Sequence, residues 1–247
     1  MANSPETLLK SWLLSRAEER SAWLEAQLRQ LEAGGPERDL HIFLGQAPRV
    51  LGKAMLDLSP AEMEQAETAR PGWTPSGWSV DGAARVLGLL VYRGTRSFAE
   101  TFKDLRRTSD AAEMIALYRG LPLYPDPDSL HFEVGEGLRS NLRPVFEAIA
   151  HRNPFPRDHF DDHRWNHMVL KALFVGSSLT PITGLEARAN PELARILIDY
   201  ARERRAAGRP VTDDLWIPVR AVRDDPAVRE ELDRALTDGI LTTKEVA

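Results

Sequence analysis

Two runs of polar residues, each spaced one helical turn apart, hold the densest potential for chemistry in this chain. Arg139, Arg143, Glu147 and His151 follow one another at i+4 steps, and so do His159, His163, His167 and Lys171. If each run lies on one helix, each shares one face. Between them, Asn153-Pro154-Phe155-Pro156 predicts a turn that brings the second helix back beside the first, with His151 near His159. Two polar stripes would then line one groove. The same spacing also suits two solvated faces opposite an apolar stripe of Leu138, Leu142, Val145, Phe146 and Ile149.

The histidine ladder raises a metal reading, since two imidazoles one turn apart can ligate one zinc ion, with Asp161 or Asp162 adding oxygen. Two features oppose it. From His159 to His167 the ladder covers about 12 Å of straight helix, more than one ion bridges. No glutamate stands where the His-Glu-x-x-His arrangement places its general base. The doublets Asp161-Asp162, Asp213-Asp214 and Asp224-Asp225 have the residue type that holds magnesium on a diphosphate. Each also opens a predicted helix, as does Asp126-Pro127-Asp128, and a carboxylate there caps free N–H groups. Lys171 sits in an apolar run, either snorkelling outward or buried and paired, where it can act as nucleophile or anion clamp.

No phosphate-cradling loop, Rossmann fingerprint or nucleophile elbow occurs. Gly135-Glu136-Gly137 is short and lies within a helical pattern, and Gly176-Ser177-Ser178 reads as a helix end before Pro181. The chain has no cysteine, which excludes disulfides, thiolate metal sites and cysteine nucleophiles and suits a reducing compartment. Its net charge of −5, with arginines interspersed among acids, lacks the one-sided basic face that nucleic acid selects. No signal peptide is read, and the longest apolar stretches, near 86–92 and 168–176, are too short to span a bilayer. A cytoplasmic protein is expected.

The elements that must position these residues are helices. Leu8, Leu9, Trp12, Leu13, Trp23, Leu24, Leu28 and Leu31 recur at three- and four-residue spacings. Ser4-Pro5-Glu6 and Ser59-Pro60-Ala61-Glu62 are start signals, and Gly34-Gly35-Pro36 is a stop. Further helices are predicted over about 81–92, 96–107, 110–119, 127–151, 159–175, 191–206, 213–221 and 226–237, while strand alternation is nearly absent. The expected fold class is all-α, with antiparallel helix pairs forming an irregular, HEAT-like α-solenoid or a helical bundle. An N-terminal region, 1–109, and a chemistry-rich region, 110–247, are expected to pack as one continuous domain. The loop 70–78 carries Trp73 and Trp78, read as an exposed interface or as a clamp on the first helices.

Several blocks then resemble one family in order. They are ALYRGLPLYP (116–125), RSNLRPVFEAIA (139–150) with NPFP (153–156), WNHMVLKALF (165–174), GLEARANPELAR (184–195) and DYARER (199–204). Together, over about 113–210, they are similar to the EboA-domain family; the N-terminal half shares only the helical style. The resemblance implies a role in gene clusters that make or export a secondary metabolite. Such clusters also encode proteins like membrane prenyltransferases, sugar-phosphate cyclases and metal hydrolases. The family usually has Trp-Asn-Gln at 165–167, and His159 and His163 depart from it as well, so no metal or other cofactor is expected. The polar positions that match are Arg119, Arg139, Asn141, Glu147, Asn153, Asn166, Lys171 and Arg188.

Those residues are the candidate ligand site. Arg139 and Lys171 would hold an anion or carboxylate, with Asn141 and Asn166 orienting it; several can instead be buried staples between helices. The function implied is that of a non-catalytic accessory protein binding a small metabolite or another protein of the same cluster. The alternative is an enzyme acting on a cyclitol or prenylated intermediate, with Glu147 or Lys171 as base or nucleophile.

Overall fold

The structure, a computed structural model, describes residues 4–239 together with 241 and 242. The fold is all-α: among the described residues no strand forms, and Met55 and Ser79 make only an isolated bridge. No helix of the described residues is long and apolar enough to cross a membrane. The chain divides into two compact units, Met1–Phe155 and Pro156–Ala247.

Unit 1 contains α1 (Pro5–Ala17), α2 (Ser21–Glu32), α3 (Glu37–Val50), α4 (Pro60–Ala69), α5 (Val80–Val91), α6 (Phe98–Thr108), α7 (Ala111–Arg119), α8 (His131–Arg139) and α9 (Arg143–Ala150). At its centre is α5, buried along almost its whole length and packed against α1, α3 and α7. In turn α7 packs against α9, burying Ala116, Leu117 and Tyr118. That chain of contacts runs from α1 to α9 within unit 1. The unit ends at Phe155. Phe43 of α3 lies so close to α5 that a Cβ on Gly88 would sit 2.2 Å from its ring.

The start signals act as their chemistry dictates. Ser4 accepts from the Thr7 N–H, and Ser59 with Glu62 closes a reciprocal capping box. Glu62 does more than cap, since Arg16 of α1 donates to its two oxygens at 3.0 and 2.8 Å. That hydrogen bond from Arg16, with smaller help from Ser59 and against the opposing effect of burial, holds the Glu62 carboxyl down to about 2. The folded value lies below the ordinary 4.5, so the stabilisation is complete above pH 4.5 and lost as pH falls towards 2. Glu62→Gln should cost about 1–2 kcal/mol at neutral pH. It should also flatten the acid limb of a stability curve measured by urea unfolding across that window; an unchanged limb would rule out the pairing.

Two predicted long helices are in fact broken. The stretch 127–151 consists of a 3-10 turn (Pro127–Leu130), α8 and α9, with residues 140–142 between the helices. Pro144 has no N–H to give to a preceding turn, so it sits in the first turn of a new helix. Arg139 and Arg143 therefore lie on different helices. In unit 2, the stretch 159–175 splits into α10 (Phe155–His159), which begins at the boundary residue, and α11 (Asp162–Phe174). Asp161 accepts from the Arg164 N–H at 2.7 Å, starting α11 two residues after His159 ends α10.

The rest of unit 2 comprises α12 (Pro191–Ala206), α13 (Trp216–Ala221) and α14 (Pro226–Thr237), with α12 packed against α11, α13 and α14. Asp225 caps α14 as predicted. Asp214 does not cap: its Oδ2 accepts from Ser178 Oγ and the Leu179 N–H, both at 2.6 Å, tying two loops together. Asp126 makes no side-chain cap either, and its φ is +49°.

Candidate functional site

The carboxyl-terminal ends of α7 and α9 come together, and one buried amide joins them. Asn153, 2% exposed, donates through Nδ2 to the carbonyls of Tyr118 and Ala148, both at 3.0 Å. Its Oδ1 accepts from the Phe155 N–H at 3.0 Å. The side chain thus serves two orphan carbonyls and one amide, and its hydrogen-bonding capacity is largely spent inside unit 1. Close approach also needs Gly137 of α8, where a Cβ would lie 2.4 Å from the Tyr118 ring.

Beside this junction opens a cleft of about 130 Å³. Ile115 and Arg119, one turn apart on α7, form one wall; Pro144, Glu147, Ala148 and His151, along one face of α9, form another. Thr74, Ser76 and Trp78 come from the tryptophan loop, and Arg152 and Asn153 complete the lining. A second chamber of about 120 Å³ shares Trp78, Ile115 and Arg119, and also contacts Asp81 and Arg85 of α5. Arg119 donates to the Gly77 carbonyl at 3.0 Å, fastening the turn that holds Trp78. Burial lowers the proton affinity of the Arg119 guanidinium, and repulsion from Arg152 lowers it further. The two cations therefore feel one another. Arg152 has a φ of +50°, a left-handed conformation that costs a side-chain-bearing residue energy and is sustained here by the bonds of its neighbour Asn153.

The tryptophan loop is a clamp. Trp73 and Trp78 are 1% and 5% exposed, and the Trp73 ring lies 5.7 Å from Trp12 of α1 and 6.2 Å from Trp78. Of the two readings of this loop the clamp fits these rings, which close over the first helix.

The predicted site residues separate into three groups. Arg119, Glu147 and Asn153 line the cleft, the last as a staple. Arg139 and Asn141 are exposed outside it, and Arg139 pairs with Glu136 of its own helix. Asn166, Lys171 and Arg188 belong to unit 2. There Asn166, 1% exposed, exchanges amide hydrogen bonds of 3.2 and 2.9 Å with Asn190, the residue that caps α12. Arg188 donates to the carbonyls of Arg157 and Phe160 and to Asp162, and lies over the Trp165 ring at 5.1 Å. Lys171 is half-buried on α11. His163 and His167 remain neighbours, with ring centroids 4.3 Å apart, but His159 is on another helix. Among the described residues, no group of three or more His, Cys, Asp or Glu is placed to hold a metal ion.

The Asn166 amide is thus paired with the residue that caps α12. Asn166→Ala should cost about 1 kcal/mol, because the half-buried Asn190 amide loses one of its partners. A thermal melt unchanged by this substitution would mean that Asn190 finds another partner.

Arg152 and the Thr74–Trp78 wall were not among the predicted site residues. His151 was visible at the end of a polar ladder and Trp78 as an aromatic in a breaker-rich loop, but nothing local marked Arg152. A family model described as Metabolite traffic protein EboA matches residues 5–220, so both the N-terminal half and the blocks over 113–210 fall within the match. The chain belongs to the EboA family. No curated protein and no solved structure matches it.

Proposed function

We propose that this member of the EboA family is a non-catalytic accessory protein that carries a small metabolite in the cleft of unit 1. The observation behind the reading is the cleft itself, a polar recess of about 130 Å³ at the joined ends of α7 and α9. A cavity of about 150 Å³ takes a molecule the size of benzene, so the seat suits a compact ligand or the head of a longer one. The adjoining chamber, across Trp78 and Ile115, gives such a ligand somewhere to extend. The site acts in the cytoplasm and hands its ligand to other proteins of the same pathway.

Native mass spectrometry of protein taken gently from cells carrying the whole pathway tests this. A reproducible adduct of small-molecule mass is expected. It should be lost in Ile115→Trp, which fills the partition between the two chambers, and kept in Arg139→Ala, which is outside the cleft. Bare protein, or an adduct that survives Ile115→Trp in a folded variant, would overturn the reading.

A further inference from the structure

Several arginines in unit 1 have carboxylate partners, while others on the surface, such as Arg38 and Arg107, have none among the described residues. Arg16 is paired with Glu62, Arg85 with Asp81, Arg106 with Glu133, Arg139 with Glu136, and Arg143 with Glu147 at 3.3 Å. Arg119 and Arg152 have none among the described residues, although they share one cleft. The single carboxylate lining that cleft, Glu147, is already engaged by Arg143, which lies outside it. Each guanidinium stands at the carboxyl-terminal end of a helix, and the partial negative charge there accounts for one cation at each end. It does not account for two placed close enough to repel each other.

Arg119 is also prevented from swinging out to solvent. It is half-buried and bonded to the Gly77 carbonyl, and that bond occupies one of its five N–H groups. Asn153 fixes the turn that presents Arg152, at the cost of a left-handed backbone. The arrangement is thus a preorganised pair of forked donors lining a recess to which Thr74 and Ser76 also contribute. Planar fork donors select carboxylate and phosphate oxygens over neutral groups.

We infer that the ligand held in this cleft carries an anionic head, a carboxylate or a phosphate, and that Arg119 and Arg152 grip it together. The inference rests on the cleft being the ligand's seat. The anion is the counter-charge that the sequence does not supply, and it relieves the repulsion between the two guanidiniums. Thr74 and Ser76 add hydroxyl donors to the same oxygens.

Inorganic phosphate, glycolate and, as a neutral control, glycerol should be titrated into the full chain at low ionic strength. The side-chain Nε resonance of Arg119 and the indole N–H of Trp78 are followed by nitrogen-15 NMR. At least one anion should give a saturable shift of both signals, and glycerol none. Arg152→Gln should weaken that anion by about tenfold or more while leaving the melt unchanged, because Arg152 is exposed and makes no ion pair among the described residues. Tighter binding of phosphate than of glycolate identifies a phosphate head, and the reverse a carboxylate. If neither anion saturates, if glycerol shifts the signals equally, or if Arg152→Gln leaves the affinity unchanged, the anion assignment is wrong. The carrier reading would still stand in those cases if the native adduct is lost in Ile115→Trp, with the ligand then neutral.

Discussion

Replacing Arg85 with methionine should lower the free energy of unfolding by about 3–5 kcal/mol, read from urea denaturation at constant slope. Arg85 and Asp81 stand one turn apart on α5, with side chains only 5% and 6% exposed and an Nη1–Oδ2 distance of 3.2 Å. The same guanidinium donates to the Leu44 carbonyl of α3 at 3.0 Å and has Glu113 of α7 at 3.8 Å. One side chain therefore ties three helices. Methionine fills much of its volume but leaves the Asp81 carboxylate desolvated without a counter-charge and the Leu44 carbonyl without a donor. Adding Asp81→Asn should recover part of the loss, because the cost is the uncompensated charge rather than the missing contact. A loss under about 1 kcal/mol for the single variant would show that water reaches Asp81 and that the pair is dispensable.

A comparable loss, about 3–5 kcal/mol, is expected for Trp73→Ala. Trp73 is among the largest fully buried side chains and lies between the rings of Trp12 and Trp78. Alanine there leaves a cavity that helix α1 and the 70–78 loop cannot both close. The indole N–H of Trp73 has no hydrogen-bond partner among the described residues, so Trp73→Phe removes an unsatisfied donor as well as volume and should cost clearly less. Because Trp78 walls the cleft and lies against Trp73, Trp73→Ala should also weaken the binding proposed for the cleft under conditions where the protein remains folded. Equal losses for the alanine and phenylalanine variants would mean that the indole N–H is satisfied by water, and that ring volume does not set the stability.

Much of the fold was legible because its signals are local. Leucines at three- and four-residue spacings bury Leu8, Leu9 and Leu13 in α1, and Leu24, Leu28 and Leu31 in α2. Ser4, Ser59, Asp161 and Asp225 each start a helix by accepting from N–H groups two or three residues on, a bond that is decided within one turn. The errors were local as well. A face of Arg139, Arg143, Glu147 and His151 exists only if the helix passes through Pro144, and the missing N–H of that proline begins α9 instead. The histidine ladder failed in the same way where Asp161 caps α11 between His159 and His163.

The candidate site was far less legible. Periodicity shows which residues share a face, but not which polar face turns inward, and Arg139 and Glu147 looked alike until packing placed one in solvent and the other in the cleft. Asn153 and Asn166 suit either a ligand contact or a staple, because buried amides and binding amides have the same chemistry; which partners they take, Tyr118, Ala148 and Asn190, only packing decided. By itself the sequence determined an all-α chain, most helix starts, and a polar set within which Arg119 and Glu147 stand. Tertiary structure alone decided that α7 and α9 end at one place, that the tryptophan loop closes over it, and that Arg152 faces it beside Arg119. Those outcomes depend on bonds between residues about 35 apart in sequence and on close contacts at Gly137, and no pattern confined to a single turn encodes them.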